Sequence, residues 1–562
     1  MTSKTKSDRW RRLLSHGYFA PELPPCFVSY DLARFRRTIF QGISSLPLVN
    51  QRPDYYRYVS EPSWFYFPRF GKEDRRHAVP NPLSYLFLSK AVAENYVQIR
   101  RAAKQSGLSA SPPVFDWSGS RAVMRPNVDL RDDFRIDLSS RREEYIAADI
   151  RAFFHSIYTH SIPWAIHGKS WAKGRGNRGV EHLGNLLDLL SRNLQDGQTI
   201  GLPVGPDTSR LLAEVVASAI DNELKLHLGV SAKDASRYID DYTISSASGQ
   251  TGEMMVAALR QSAAKFELEL NNDKTSLMST SARQDAGWKQ AIRAYIPRGG
   301  ADAQAILRFF YEVGRMCEGH PELNIEKFAF SNARSVFLGT DSWPNVQNLL
   351  INAYRRNPTL VSLLVEIFVL RQVERGDLDR DNLRDFLEHR IPALARANRS
   401  GELVWFLFLA IRLQIALSQK AVESICYIDN SMIALLVAVA KSRQLVVGEV
   451  DFSRWNIWCD AEGLKSPMWL YAYQVALQQI VPGVTSHFLQ QDTYFSQLYR
   501  RKVSFLDLQQ GFGSFATTLR TLRNENDRTR RVRSDFLEDF DVDIEDYDDD
   551  DYEDEVDFNG GY

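Results

Sequence analysis

The segment Arg237-Tyr238-Ile239-Asp240-Asp241-Tyr242-Thr243-Ile244-Ser245 sets two adjacent carboxylates between short runs of β-branched and aromatic residues. That pattern predicts a β-hairpin with Asp240 and Asp241 at its tip. Neighbouring acids repel one another, and tight turns favour Gly or Asn, so the pair needs a compensating charge. A divalent cation would provide it. Taken alone, an Asp-Asp dipeptide reads as a solvated turn. Its meaning rests on what the rest of the chain brings beside it.

Upstream, the apolar run Tyr145-Ile146-Ala147-Ala148 ends abruptly in Asp149-Ile150, as expected of a buried strand delivering an acid to a sheet edge. If that strand lies beside the hairpin, three carboxylates converge. Oxygen-rich sites of this kind hold Mg²⁺, which keeps several waters and binds substrate phosphates. Two such ions about 3.5–4 Å apart activate an attacking hydroxyl and stabilise a leaving pyrophosphate. Between the acids lies the loop Gly201-Leu202-Pro203-Val204-Gly205-Pro206, followed by a helix with Leu211, Leu212, Val215, Val216, Ala219 and Ile220 in one stripe. Asp207 or Thr208 is the expected cap. Glycines before a helix let the backbone approach a nucleotide or template base closely. Lys274 follows the strand-like 268–270 and is placed to protonate a departing pyrophosphate.

The order of acid, glycine loop, acid pair and lysine across 141–275 resembles the palm of a reverse transcriptase. On that resemblance Asp149 matches the first-motif aspartate, and Ile150 the residue whose carbonyl helps hold metal. Residues 201–205 match the second motif, Tyr238-Ile239-Asp240-Asp241 the YxDD box, and 270–275 the lysine motif. The resemblance implies two Mg²⁺ held by Asp149, Ile150, Asp240 and Asp241, with Lys274 in a catalytic role. It also implies a nucleotide site formed by Phe154, Gly201, Pro203, Val204 and Gly205. Phe154 falls at the family's steric-gate position, where an aromatic ring collides with a ribose 2′-OH, so dNTPs are the implied substrates. Val204 stands where many members carry Gln, which removes a polar contact near the incoming nucleotide. Residues 75–101 correspond to fingers, with Arg75, Arg76, Arg121 and Arg125 as candidate triphosphate or backbone contacts.

At 562 residues, 44% hydrophobic and 12% aromatic, the chain is long enough for two or three domains. The expected fold class is α+β, with an N-terminal and fingers region (1–140) and a palm (141–299). A helical domain (300–524) and a disordered acidic tail (525–562) follow. Amphipathic helices are predicted at 303–317, 346–354, 359–374, 380–390, 403–417, 431–441 and 467–480. HEAT-like stacking and an irregular bundle both suit them, since no clean repeat period is visible. Strands with a turn are expected across 121–135.

The net charge of −1 conceals an asymmetry. Residues 535–557 hold 15 of the 70 acids and no Lys or Arg, leaving 55 acids against all 69 basic residues elsewhere. A basic body with an acidic tail suits a polyanion partner. No apolar stretch follows the basic residues 4–12 and no window would span a bilayer, so a cytoplasmic protein without a membrane partner is expected. Cys26, Cys317, Cys426 and Cys459 have neither disulfide nor zinc spacing.

The long helical half and the RYIDD and LPVGPDTSR segments look most like the bacterial abortive-infection and defence-associated reverse transcriptases. That resemblance implies antiphage defence and DNA synthesis with or without a template, primed by a 3′-OH or a protein hydroxyl. Tyr30, Tyr55, Tyr56 and Tyr58 are N-terminal primer candidates. Implied partners are an RNA template or noncoding RNA, a DNA product and further copies of the chain. The rival expectation is a noncatalytic nucleic-acid-binding scaffold on a degenerate palm.

Overall fold

The sheet that carries the acids is built from four short strands. The computed structural model describes residues 4–245, 250–280, 287–297 and 302–512. Strands β1 (Ser63–Arg69) and β2 (Lys72–Val79) form an antiparallel hairpin by themselves. Strands β3 (Glu144–Asp149), β4 (Ala235–Tyr238), β5 (Asp241–Ile244) and β6 (Ser276–Ser279) form an antiparallel sheet in the order β4-β5-β3-β6. The pleat fixes the register through the apolar residues of β3. Ile146 pairs with Ile244 on one side and Leu277 on the other, which sets Asp149 opposite Asp241.

Three helices matter to this sheet: α1 (Asp129–Ser139), α2 (Asp207–Leu228) and α3 (Gly252–Ala264). The predicted stripe of α2 is buried at Leu211, Leu212, Val215, Val216 and Ile220. So are Ala213, Ala217 and Ser218, because the helix Tyr96–Lys104 packs on α2 as well. The strands expected across 121–135 are reduced to one bridge between Phe115 and Val123. Helix α1 takes the rest. Asp129 and Asp132 occupy its first turn, where the helix dipole favours acids, and Asn127 Oδ1 accepts from the Asp129 amide at 3.0 Å.

In the C-terminal half every regular element among the described residues is a helix, joined by loops and a single internal bridge between Leu417 and Val446. Helices α4 (Val361–Glu374), α5 (Ser400–Leu413), α6 (Ser431–Ser442) and α7 (Trp469–Gln478) stack in sequence, each on the next. Helices α5 and α6 are buried almost all round, as expected of rods with neighbours on every side. They start at residues 400 and 431, α4 at 361 and α7 at 469, an uneven spacing that hides the repeat from sequence inspection. The row grips the β1–β2 hairpin. Ser400 Oγ accepts from the Tyr66 amide at 2.9 Å, and Asn430 Nδ2 donates to the Trp64 carbonyl at 2.8 Å. Asn81 Nδ2 donates to Leu464 O at 2.8 Å, and Arg399 pairs with Asp74 at 2.6 Å.

Gly401 marks the closest approach between the two parts. A Cβ there would sit 2.4 Å from the Tyr66 carbonyl oxygen. Gly401→Val is therefore expected to destabilise the fold by about 2 kcal/mol or more, through overpacking at a backbone contact. Urea melts of wild type and variant check this; an unchanged midpoint would show that β1 and α5 separate freely. Among the described residues no helix is long and apolar enough to cross a membrane. The acidic run and the basic stretch before it lie outside the described residues.

Candidate active site

Strand β3 ends at Asp149, which is buried to 6% exposure and pairs with Asp241. The β4–β5 turn is tighter than the sequence suggested: its two loop residues are Ile239 and Asp240, and Asp241 already belongs to β5. Ile239 takes a φ of +60°, a left-handed backbone that costs a residue with a Cβ about 1–2 kcal/mol. A β-branched side chain is still less at home there. The Ile150 amide donates to the Asp240 carbonyl at 3.2 Å, fastening the turn to the end of β3. On the other flank Asn271 N donates to Asp149 O at 2.7 Å and Arg151 N to Glu269 O at 2.8 Å, a ladder that bypasses the Ile150 carbonyl.

The three acids share one electrostatic site. Burial first, then Asp241 and Asp149, raise the Asp240 carboxyl to about 6. Burial and Asp149 also raise Asp241, against the pull of Arg131 and Lys274. Lys274 lies in a short turn (Asn272–Lys274) and its ammonium is ion-paired with Asp149 Oδ2. Burial disfavours that ammonium, but Asp149, Asp241 and Asp240 more than offset it, and its affinity for the proton is raised. Among the described residues no three acids, histidines or cysteines are arranged as a ready-made metal cage. The donor set itself, carboxylate oxygens gathered at one partly buried site, suits a hard divalent cation.

The glycine loop lies against the β1–β2 hairpin and the turn after β3. Leu202 N donates to Phe154 O at 2.7 Å, Gly201 N to Ile157 O at 2.8 Å, and Ala78 N to Val204 O at 2.9 Å. Gly205 has a φ of +132°, and a Cβ on it would meet Ala20 Cβ at 2.8 Å and Ala78 O at 3.1 Å. Glycine is required there twice over. Gly201 and Pro203 are buried, while Phe154 and Val204 are half-buried.

Several expected assignments change. Arg121 is buried and cannot meet a triphosphate: it pairs with Asp207 and donates to Gly205 O at 2.8 Å, bracing the loop from behind. Asp207 is the first helical residue of α2 and caps nothing. Its Oδ2 instead accepts from the amides of Ala122 and Val123, each at 3.0 Å. Tyr58 is buried at 4% exposure, which excludes it as an accessible primer hydroxyl in this conformation. Arg75, Arg76 and Arg125 are exposed, and Arg76 lies over the Trp64 ring at 4.3 Å.

Other residues of the site escaped sequence reasoning. Arg69 and Lys72 flank the tight Phe70-Gly71 turn of the hairpin, and both interact electrostatically with Asp149; Arg69 also feels Asp240. Burial lowers the proton affinity of both, and Lys72 is lowered further by Lys274 and Arg69. Cations at a Gly-turn tip are a signal that could have found them. Arg131 Nη1 approaches Asp241 Oδ2 at 3.6 Å. Arg237 is fully buried, paired with Glu214 at 2.8 Å and Asp221 at 2.9 Å, and it donates from Nη1 to the Ile239 carbonyl at 2.8 Å.

Three carboxylates at the ends of adjacent strands, faced by a basic hairpin tip, agree with a comparison of families. Residues 124–296 match the reverse transcriptase (RNA-dependent DNA polymerase) family model. The reverse transcriptase fold of this segment holds β3 to β6 and the helices α1 to α3, and the helical half follows it. No curated protein matches the chain. Among solved structures, apo telomerase from Candida tropicalis is similar at 11% identity, over 78% of this chain and 74% of that one. Its TM-score is 0.29, a likeness too distant to add to the assignment of the reverse transcriptase segment.

Proposed function

We propose that the protein is a reverse-transcriptase-type DNA polymerase that transfers deoxynucleotides to a 3′-OH or a protein hydroxyl. The observation that carries this reading is the gathering of Asp149, Asp240 and Asp241 opposite Arg69 and Lys72. Asp149, Asp240 and Asp241 would hold two Mg²⁺, with the Ile150 carbonyl as a further oxygen. Bound there, the ions would neutralise phosphate charge and lower the pKa of the attacking hydroxyl. Arg69 and Lys72 would take the β- and γ-phosphates, and Lys274 would give a proton to the pyrophosphate as the α-phosphorus–oxygen bond breaks. The hydroxyl oxygen forms the new bond to that phosphorus and loses its proton to solvent. Gly201, Pro203, Val204 and Gly205 would present backbone to the nucleotide, and Phe154 would exclude a 2′-OH. The helical half that grips the fingers suits the defence-associated group, so an antiphage setting is part of the proposal. So are an RNA template or noncoding RNA and self-assembly.

The test is incorporation of labelled dNTPs by purified protein with Mg²⁺, with and without template. Product is expected from wild type; none under any template condition would leave only a noncatalytic scaffold. Phe154→Ala is expected to raise the ratio of ribo- to deoxynucleotide incorporation by about 10-fold or more, the usual worth of one steric exclusion. An unchanged ratio would remove Phe154 as the gate.

A further inference from the structure

A second basic surface lies on the helix Tyr96–Lys104, and its lining includes neither the hairpin tip nor the acids. Arg9, Tyr96, Val97, Arg100, Arg101, Lys104 and Gln105 line a groove of about 480 Å³. The lining holds four cations and no acid. Among the described residues none of Arg9, Arg100, Arg101 and Lys104 forms a salt bridge or a side-chain hydrogen bond. Exposed cations that crowd together without acids repel one another, and burial and Arg100 both lower the proton affinity of Lys104. Such an arrangement is stabilised by an external polyanion.

Aromatic rings continue the groove. Tyr96 meets Phe115 edge-on at 4.8 Å, and Phe115 stacks on Trp117 at 5.4 Å with an interplanar angle of 16°. Trp117 is 38% exposed at the end of this row, and Lys4 reaches over it at 5.6 Å. Arg9 lies over Tyr96 at 5.1 Å. Cations that follow a phosphate backbone beside an indole that can stack on a base are how single strands are held without sequence preference. The surface is rigidly mounted. Ser106, just past the helix, donates its amide to Ser218 Oγ of α2 at 3.1 Å, and Lys225 Nζ donates to Ser106 O at 2.9 Å.

We propose that this groove binds a single-stranded nucleic acid at a site separate from the catalytic acids, with Arg100, Arg101 and Lys104 on the phosphates and Trp117 stacked on a base. The proposal extends the polymerase reading to a second place where a strand is held. Its test reads binding, so it is independent of whether the protein incorporates nucleotides.

Fluorescence anisotropy with labelled U20 and dT20 would compare wild type, Trp117→Ala and the triple variant Arg100→Glu/Arg101→Glu/Lys104→Glu. The triple variant is expected to raise Kd about 10-fold or more at low salt. It should also reduce the slope of log Kd against log salt by about 2, as three lost phosphate contacts require. The ratio of the two oligonucleotides' Kd values separates an RNA from a DNA occupant. In wild type, a bromouracil-substituted strand is expected to photo-crosslink at Trp117. Unchanged Kd and slope, with no crosslink at Trp117, would overturn the proposal. So would competition by a synthetic 535–557 peptide that displaces the strand equally from wild type and Trp117→Ala, which would make the acidic segment the occupant.

Discussion

Asp240→Asn is expected to reduce nucleotide incorporation by about 10³-fold while leaving the metal-free fold more stable than wild type. The two effects have one cause. Asp240 is held at a half-buried turn beside two other acids, and partial burial with those neighbours raises its carboxyl to about 6. The folded pKa lies above the ordinary Asp value, so the native state disfavours the charged form. The penalty is absent at low pH and grows as pH rises through the interval from about 4 to about 6. At pH 7.5 the amide removes it, and about 1–2 kcal/mol of stability is expected in the presence of chelator, after allowance for solvent screening. The loss of activity is expected because an amide holds a divalent cation less well than a carboxylate, and losing electrostatic stabilisation of the transition state costs about 10²–10³-fold or more. Single-turnover incorporation with Mg²⁺, set beside thermal melts in chelator, reads both. Wild-type activity in the variant would sink the site assignment. Lost activity with a lowered melting temperature would show that Asp240 is structural and that its charge is satisfied within the fold.

Such a trade is what local sequence rules detect as inconsistency. An acid in a two-residue turn, beside an isoleucine in a left-handed backbone and followed by a second acid at the start of β5, satisfies no preference of a stable hairpin. In the sequence the acid pair alone reads as a solvated turn, and only Asp149, the glycine loop and Lys274 made Asp240 and Asp241 candidates for a site. Asp149 was legible because an apolar run stops on an acid. Although 380–390 stops well short of Arg380–Arg396 and the short helices Ile325–Asn332 and Arg334–Gly339 carried no such signal, the longer helices of the C-terminal half were legible by periodicity, as at 303–317 against Ala303–Gly319. Their stacking was not, because the uneven spacing of α4 to α7 carries no period. Nor did the pattern show that the row holds the β1–β2 hairpin, since the joints are single contacts such as Asn430 Nδ2 to Trp64 O. Long-range polar pairs leave no local trace. Arg121 was misread for that reason: its partner Asp207 is 86 residues away, and each looked by itself like a surface or capping residue.

Arg237 is the strongest case of that kind, and Arg237→Met is expected to cost about 3–5 kcal/mol of stability. The guanidinium meets Glu214 and Asp221 of α2 in a site from which water is excluded. Burial alone would lower its proton affinity, but Asp221 and Glu214 more than reverse this, so it stays charged. Removing it strands two buried carboxylates, which is the costly way to break an ion pair. Tyr242, whose hydroxyl donates to Asp221 at 2.8 Å, loses its ordered partner as well. Arg237→Lys is not expected to rescue, because a single ammonium cannot reproduce contacts to both acids and to the Ile239 carbonyl. The stability loss can be separated from the effect on the turn. In the triple variant Glu214→Gln/Asp221→Asn/Arg237→Met the buried charges are gone together, and most of the stability is expected to return. The bond to Ile239 O is not restored, so the left-handed residue before Asp240 loses its tether. Incorporation is then expected to stay reduced about 10-fold or more, with little change in KM for dNTP, because displacing a reacting group by about 1 Å is costly to the chemical step. Urea melts and steady-state kinetics on the single and triple variants decide between the roles. Full activity in a restabilised triple variant would make Arg237 a core ion pair and nothing more, whereas a stable but slow enzyme would show that it positions Asp240 through the Ile239 carbonyl.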